Sequence, residues 1–318
     1  MGVERDSLLH LAAKLYYMDD LSQSEVAELV GVSRSQVSRL LARARERGIV
    51  RMWVEEYEPR NRVLEEQIAN RFRLNHVIVI KTPQGARTGQ IRHTVGYFAA
   101  PVVSTWIHSH MVIGVAGGRT LYELIRHMIP VQRIEDITVV QLMGNVGPSV
   151  SATDAVELSR SLAQRFAGSF YTLNAPAYAP DVYSRDVFLN HEHVRTVWRL
   201  FDTMHMALVG IGSLRDSVFI ERGVLKAPDL ERLRAQGVVG EICGRFFDAT
   251  GAECSTDYCE RVISVGLDDL RKKPEVVGVT IGQDRVEAIL AALRGRRITS
   301  LVIDDLGATV LLEGAGIP

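Results

Sequence analysis

Cysteine is scarce in this chain. There are three in 318 residues, Cys243, Cys254 and Cys259, set neither as a disulfide framework nor with histidines at zinc-finger spacing. They read as buried or loop thiols, and neither a metal nor a cofactor is expected. No run of eighteen apolar residues occurs, which excludes a membrane-spanning helix. The opening MGVERDSLLH has no signal-peptide core, so a cytoplasmic protein with no membrane partner is expected. An excess of one charge is missing as well: 37 basic residues face 38 acidic ones, for a net charge of −1. Any affinity for a polyanion must therefore be local. Repeats of fixed period and low-complexity segments are also absent. The nine histidines are scattered, and His108 with His110 reads as a surface pair ahead of a strand at Met111. What remains, 47% hydrophobic and 24% charged, is globular material, enough for a small head and a body of about 250 residues.

The head is legible in Leu21–Ala42, LSQSEVAELVGVSRSQVSRLLA. Ser22 with Glu25 has the form of a capping box, and Ser33 with Gln36 repeats it, so two helices should start there. Gly31 supplies the turn between them. Val26, Ala27, Val30, Val32, Val37, Leu40 and Leu41 fall at helical spacing against a shared core. The second helix then presents Ser33, Arg34, Ser35, Gln36, Ser38, Arg39 and Arg43 outward, side chains suited to base edges and phosphates of double-stranded DNA. Six arginines lie between Arg34 and Arg51 against one acid, Glu46, a local charge of +5, which suits a phosphate footprint. Ser7–Met18 should form a supporting helix, and Ile49–Val54 reads as a strand, as in a winged helix-turn-helix.

Beyond the polar stretch EYEPRNR and a helix from Val63 to Phe72, the pattern changes. That helix could pair with its twin in another subunit or dock on its own body. Apolar, β-branched runs at His76–Ile80, Met111–Val115, Ile137–Met143, Phe170–Leu173, Met206–Ile211, Val276–Ile281 and Leu301–Ile303 look like strands buried on both faces. Amphipathic stretches at Gly89–Thr105, Thr120–Met128, Ala152–Phe166 and Arg285–Leu293 alternate with them. The expected fold is α/β: a winged helix-turn-helix domain over 1–56, a linker and connecting helix over 57–74, and a doubly wound, mostly parallel effector domain over 75–318.

Ligands of such sheets sit beyond the carboxyl ends of the strands. The strand ending in VIGVAGGRTL offers Gly117, Gly118, Arg119 and Thr120 as a phosphate cradle at a helix start. Gln141, Asn174, Glu241 and Arg285 lie near other strand ends; Glu241 reads as a hydroxyl acceptor and Arg285 as an anion donor for a sugar or polyol phosphate. Asp304 and Asp305 could make a paired carboxylate, but loop capping suits them better because nothing else points to acid–base chemistry. No catalytic residue is assigned.

Taken in order, LSQSEVAELVGVSRSQVSRLLARARERGIV, GVAGGRTL, VVQLMGNVG, LNAPAYAP, ALVGIGS, GVVGEICGRFFDATG and VVGVTIGQDRVEAILAALRGRRITSLVIDDLGA resemble the SorC family of sugar-binding transcriptional regulators over nearly the whole chain. The resemblance implies an effector domain related in fold to phosphosugar isomerases and deaminases, a phosphorylated sugar or polyol as effector, and a homo-oligomer, dimer or tetramer, on palindromic DNA. It places the phosphate turn on Gly117–Thr120, the acid of a GD/EI block on Glu241 and a late basic residue on Arg285. Many members are expected to carry Lys there, and Arg argues against an imine with an aldehyde sugar. The rival readings are a phosphosugar isomerase or deaminase with an added DNA-binding head, and an architectural DNA binder with a ligand-free body.

Overall fold

The computed structural model describes residues 2–55 and 57–316. The chain divides into two compact units, Met1–Tyr57 and Glu58–Pro318.

The small unit holds three helices, α1 (Gly2–Tyr17), α2 (Gln23–Val30) and α3 (Arg34–Glu46). Both capping boxes form. The Ser22 hydroxyl accepts from the Glu25 amide while Glu25 Oε2 accepts from the Ser22 amide at 2.8 Å, and Ser33 with Gln36 does the same. Gly31 takes φ +71° and its amide closes α2 on the Ala27 carbonyl, a left-handed stop that glycine adopts without strain. Ala12, Val26, Ala27, Val37 and Leu41 are buried together. Truncating one of the larger of these to Ala costs about 2–4 kcal/mol, a large share of the stability of so small a unit.

The strand expected over Ile49–Val54 does not form. Residues 51–55 are coil, with Trp53 and Val54 about 85% exposed. A strand needs a pairing partner, and the described residues of this unit supply none, because the polar stretch that follows leads into Pro59 and the second unit. Among its described residues the small unit is therefore a helix-turn-helix without a sheet wing.

The helix Arg62–Phe72 (α4) is docked on the larger unit. Its buried Glu65 receives Arg60 through two bonds of 2.7 and 2.8 Å and accepts the Val79 amide at 3.0 Å, while Ile68 is fully buried. Ordered pairing begins just upstream, where the Asn61 amide reaches the Val79 carbonyl and the Lys81 amide the Pro59 carbonyl.

The larger unit carries nine strands among the described residues: β1 (His76–Ile80), β2 (Val112–Val115), β3 (Thr138–Gln141), β4 (Ser169–Tyr171), β5 (Met206–Gly210), β6 (Val238–Ile242), β7 (Arg245–Asp248), β8 (Glu275–Val279) and β9 (Ser300–Asp304). Seven make one parallel sheet in the order β1-β9-β8-β5-β2-β3-β4. In six of the seven the central residues are buried, as the uninterrupted apolar runs require when helices cover both faces; the edge strand β4 is exposed at both ends and half-buried at Phe170. The β6–β7 hairpin stands apart from this sheet; it was not anticipated from the sequence. From β2 the chain steps outward through β3 to β4, then returns to lay β5 on the other side of β2. The order reverses at β2/β5, and there the crevice beyond the strand ends opens.

Candidate functional site

In the small unit, Ser33, Arg34, Ser35, Gln36, Ser38, Arg39 and Arg43 are all exposed on or next to α3, opposite buried Val37, Leu41 and Ala44. Four of them have local duties: the Gln36 side-chain oxygen is held by the Ser33 amide at 2.9 Å, the Ser33 hydroxyl lies 3.0 Å from that of Ser35, and Arg39 Nε donates to the Ser35 carbonyl at 3.4 Å. Gln36 is exposed, and its bond with the Ser33 amide uses its oxygen and not its amide nitrogen. Arg45, Arg47 and Arg51 extend the positive surface, and Arg47 is tied to Asp6 of α1.

In the larger unit a cavity of about 240 Å³ opens at the reversal point. Its wall is built from the turn after β2 (Gly117–Leu121), the turn after β3 (Met143–Val146), the segment 151–155, the turn after β5 (Gly210–Gly212), and Thr280 and Arg285 after β8. Helix Thr88–Ser104 (α5) adds Arg92, and the hairpin adds Glu241, Cys243 and Gly244. The hairpin reaches the site through Gly212, whose backbone pairs with that of Glu241 by two bonds of 3.0 Å.

Of the residues expected in the effector site, Gly117, Gly118, Arg119, Thr120, Glu241 and Arg285 come together in this cavity, although they span 169 positions of sequence. Glu241 accepts the Ser217 hydroxyl at 2.7 Å through Oε2, which orients the carboxylate as an acceptor. Arg285 is nine-tenths buried, and its Nη1 donates to the Ile281 carbonyl at 2.9 Å.

Gln141 and Asn174 do not join them. Gln141 is fully buried; its nitrogen donates to the Met143 carbonyl and Asn145, and its oxygen accepts from Thr172 and the Leu173 amide. That amide stitches β3 to the segment after β4. Asn174 adopts φ +48° and is held by Thr172 and His193 beside a neighbouring depression. The cradle also works differently from expectation. The Gly118 amide is spent on the Thr153 carbonyl at 2.9 Å, and the helix it opens, Arg119–Ile125 (α6), has only seven residues, too short for a full macrodipole. Charge for an anion must come from arginine side chains.

Asp304 is buried and caps the last helix, accepting the Gly282 and Gly307 amides, while Asp305 takes Thr82. Neither lines the cavity, so both serve as caps. The sequence reading missed Arg92 and Arg222. Arg222 pairs with Asp154 at 2.6 Å and donates to the carbonyls of Val146 and Ser149, pinning two rim loops together. No glycine or strand-end signal marks either arginine. Cys243, at φ +54° in the hairpin turn, is buried, and burial pushes its thiol up to about 12.

Comparison with known proteins agrees with this architecture. Residues 59–313 match the family model described as "Putative sugar-binding domain", and residues 14–47 match that of sigma-70 region 4. The chain is 31% identical to the deoxyribonucleoside regulator of Bacillus subtilis, over 98% of this chain and 99% of that protein. It is 28% identical to the sorbitol operon regulator of Klebsiella pneumoniae, over 95% and 96%. The full-length crystal structure of that regulator, SorC, superimposes with a TM-score of 0.76, covering 96% of this chain and 98% of that one. No helix among the described residues is long and apolar enough to cross a membrane. The chain belongs to the family of sugar-binding transcriptional regulators that includes SorC.

Proposed function

We propose that this protein is a cytoplasmic regulator that binds operator DNA through the α3 face and whose operator affinity is set by a phosphorylated sugar or polyol bound in the cavity beyond β2 and β5. One observation carries the reading: the Gly117–Thr120 turn, Glu241 and Arg285 converge on one cavity at the reversal point of the sheet. Its volume, about 240 Å³, lies just under the range of about 300–1,000 Å³ usual for drug-sized ligands, which suits a small polar molecule. Arginine matches phosphate geometry, and an oriented carboxylate is an acceptor for hydroxyls. A ligand carrying both groups answers both ends of the cavity.

The regulator works as a homo-oligomer in this reading, with ligand binding favouring a subunit arrangement in which paired α3 helices fit the operator half-sites better or worse. A tenfold change in operator affinity takes only about 1.4 kcal/mol of difference between states. Turnover is not part of it. The carboxylates that the sequence offered to an enzyme reading beside Glu241, Asp304 and Asp305, are spent on caps and do not line the cavity, so that reading loses the acid–base set it was built on.

The deciding experiment is operator binding by purified protein, using duplexes from the flanking DNA of its own gene, with and without a panel of phosphorylated pentoses, hexoses and polyols. One phosphorylated compound should shift the midpoint at least tenfold while its dephosphorylated counterpart does not. An operator complex indifferent to every compound, or catalytic consumption of one, would overturn the proposal.

A further inference from the structure

The histidines are scattered in sequence, yet folding gathers two of them with a carboxylate on the outer surface of α5 and α6. His93 on α5, Glu123 on α6 and His127 just beyond it each offer a ligand atom, and these atoms all lie within 4.8 Å of one another. They meet because α5 has no side chain at the crossing. A Cβ on Gly96, one turn past His93, would sit 2.4 Å from the Glu123 carbonyl carbon, so the two helices touch backbone to backbone there.

The hydrogen bonds fix the chemistry of the rings. His127 Nδ1 lies 2.8 Å from the Glu123 carbonyl oxygen. A carbonyl can only accept, so Nδ1 is the donor in this contact and Nε2 is the nitrogen left to bind an ion. An imidazole held by a backbone carbonyl through one nitrogen, which leaves the other nitrogen for a ligand, is the arrangement that orients a metal-binding histidine. His93 Nδ1 lies 3.1 Å from Glu123 Oε2, which sets the second ring against the carboxylate. The one cation beside this carboxylate that the described contacts show, Arg126 at 3.5 Å, is exposed and can swing away.

We propose that His93, Glu123 and His127 bind one divalent transition-metal ion of the zinc class. Tetrahedral coordination at about 2.0–2.1 Å sets ligand atoms roughly 3.3 Å apart, so side-chain rotations of about an ångström close the observed spacing. Two imidazoles and one carboxylate leave the fourth position to water, and this donor set disfavours calcium and magnesium, which take oxygen ligands. The ion would clip together two helices that also line the cavity, since His93 follows Arg92 and Glu123 lies one turn beyond Arg119 and Thr120.

The test uses tag-free full-length protein stripped with a chelator and titrated with Co2+, then with Zn2+. Wild-type protein should take up one Co2+ per chain with the intense visible absorption of a four-coordinate ion, and Zn2+ should displace it. His93→Ala and His127→Ala should each abolish the spectrum, and Glu123→Gln should weaken binding at least tenfold. His110→Ala, an exposed histidine elsewhere, should change nothing. Zn2+ should raise the melting temperature of wild-type protein and not of the double variant, and circular dichroism verifies that the variants are folded. Absence of stoichiometric uptake by wild type, or uptake that persists in a folded His93→Ala/His127→Ala variant, overturns the site.

Discussion

The two units use arginine in opposite ways. On α3 the arginines at 34, 39 and 43 are exposed, and those at 45, 47 and 51 continue the same surface. In the larger unit Arg285 is buried and bonded to a carbonyl, and Arg222 is committed to Asp154 and two rim carbonyls. An exposed guanidinium keeps its hydration and acts on whatever polyanion comes within about a Debye length, roughly 10 Å at 0.1 M salt. Its contributions add up and are screened together. A buried guanidinium has lost its water already, so it rewards only an anion small enough to enter and matched to its position. The first arrangement suits a long charged surface, the second a small molecule.

Four measurements break or sharpen that contrast, and the largest effect belongs to the buried side. All three cysteines lie in the larger unit, so thiol chemistry reports on that unit alone. Burial raises the Cys243 thiol to about 12. A raised value keeps the thiol protonated at pH 8, which leaves roughly a thousandfold less thiolate than an ordinary cysteine has. Cys243 should therefore label about a thousandfold more slowly than a free thiol, and effector, bound against the same cavity wall, should slow it further. Labelling at the free-thiol rate in folded protein would show that the cavity floor is open to solvent.

Next comes Arg285→Ala. Loss of a buried charge-assisted contact, worth about 2–3 kcal/mol, should weaken the effector roughly 30- to 150-fold in calorimetry and leave operator affinity unaltered. Arg285→Lys retains the charge but not the planar fork and should restore part of the response. A normal response in the Ala variant removes this residue from the site. On the exposed side, Arg39→Ala should weaken the operator complex by about 1–2 kcal/mol, some tenfold, and flatten the dependence of log K on log salt by about one unit if the contact is to phosphate. Effector binding should not change. If it does, the two arginine sets are not the separate devices described above.

Why one unit was easier to read than the other follows from the range of the interactions. The helix-turn-helix is set by contacts three and four residues apart: Ser22 with Glu25, Ser33 with Gln36, Gly31 with Ala27. All of these stand in the sequence in order. The absent strand at Ile49–Val54 is the exception that fits, because pairing needs a partner that a strand's own residues do not disclose. In the larger unit the apolar runs marked the sheet, and the glycine turn after β2 marked its open end. Polar residues near strand ends were ambiguous, since Gln141 bonds inward and Glu241 faces a cavity, and nothing local separates the two. The hairpin carrying Glu241 left a faint trace, alternate burial over Val238–Ile242 closed by a Cys243–Gly244 turn with φ +54° and +72°, but Cys-Gly is not a pair that announces a turn as Asn-Gly does.

The smallest effect bears on the head's own stability. Ser33 caps α3 by accepting the Gln36 amide, and Gln36 returns the bond to the Ser33 amide. Ser33→Ala removes the hydroxyl but leaves the second bond, so the loss should be about 1 kcal/mol or a little less. Because the units are separately packed, that loss should fall on the head transition in a chemical melt and leave Cys243 labelling in the body unaffected. Operator affinity should drop only a few-fold, through fraying of the first turn that carries Arg34 and Ser35. A drop as large as that of Arg39→Ala, with the head equally stable, would mean that the Ser33 hydroxyl touches DNA directly, so that this residue both caps α3 and reads the groove.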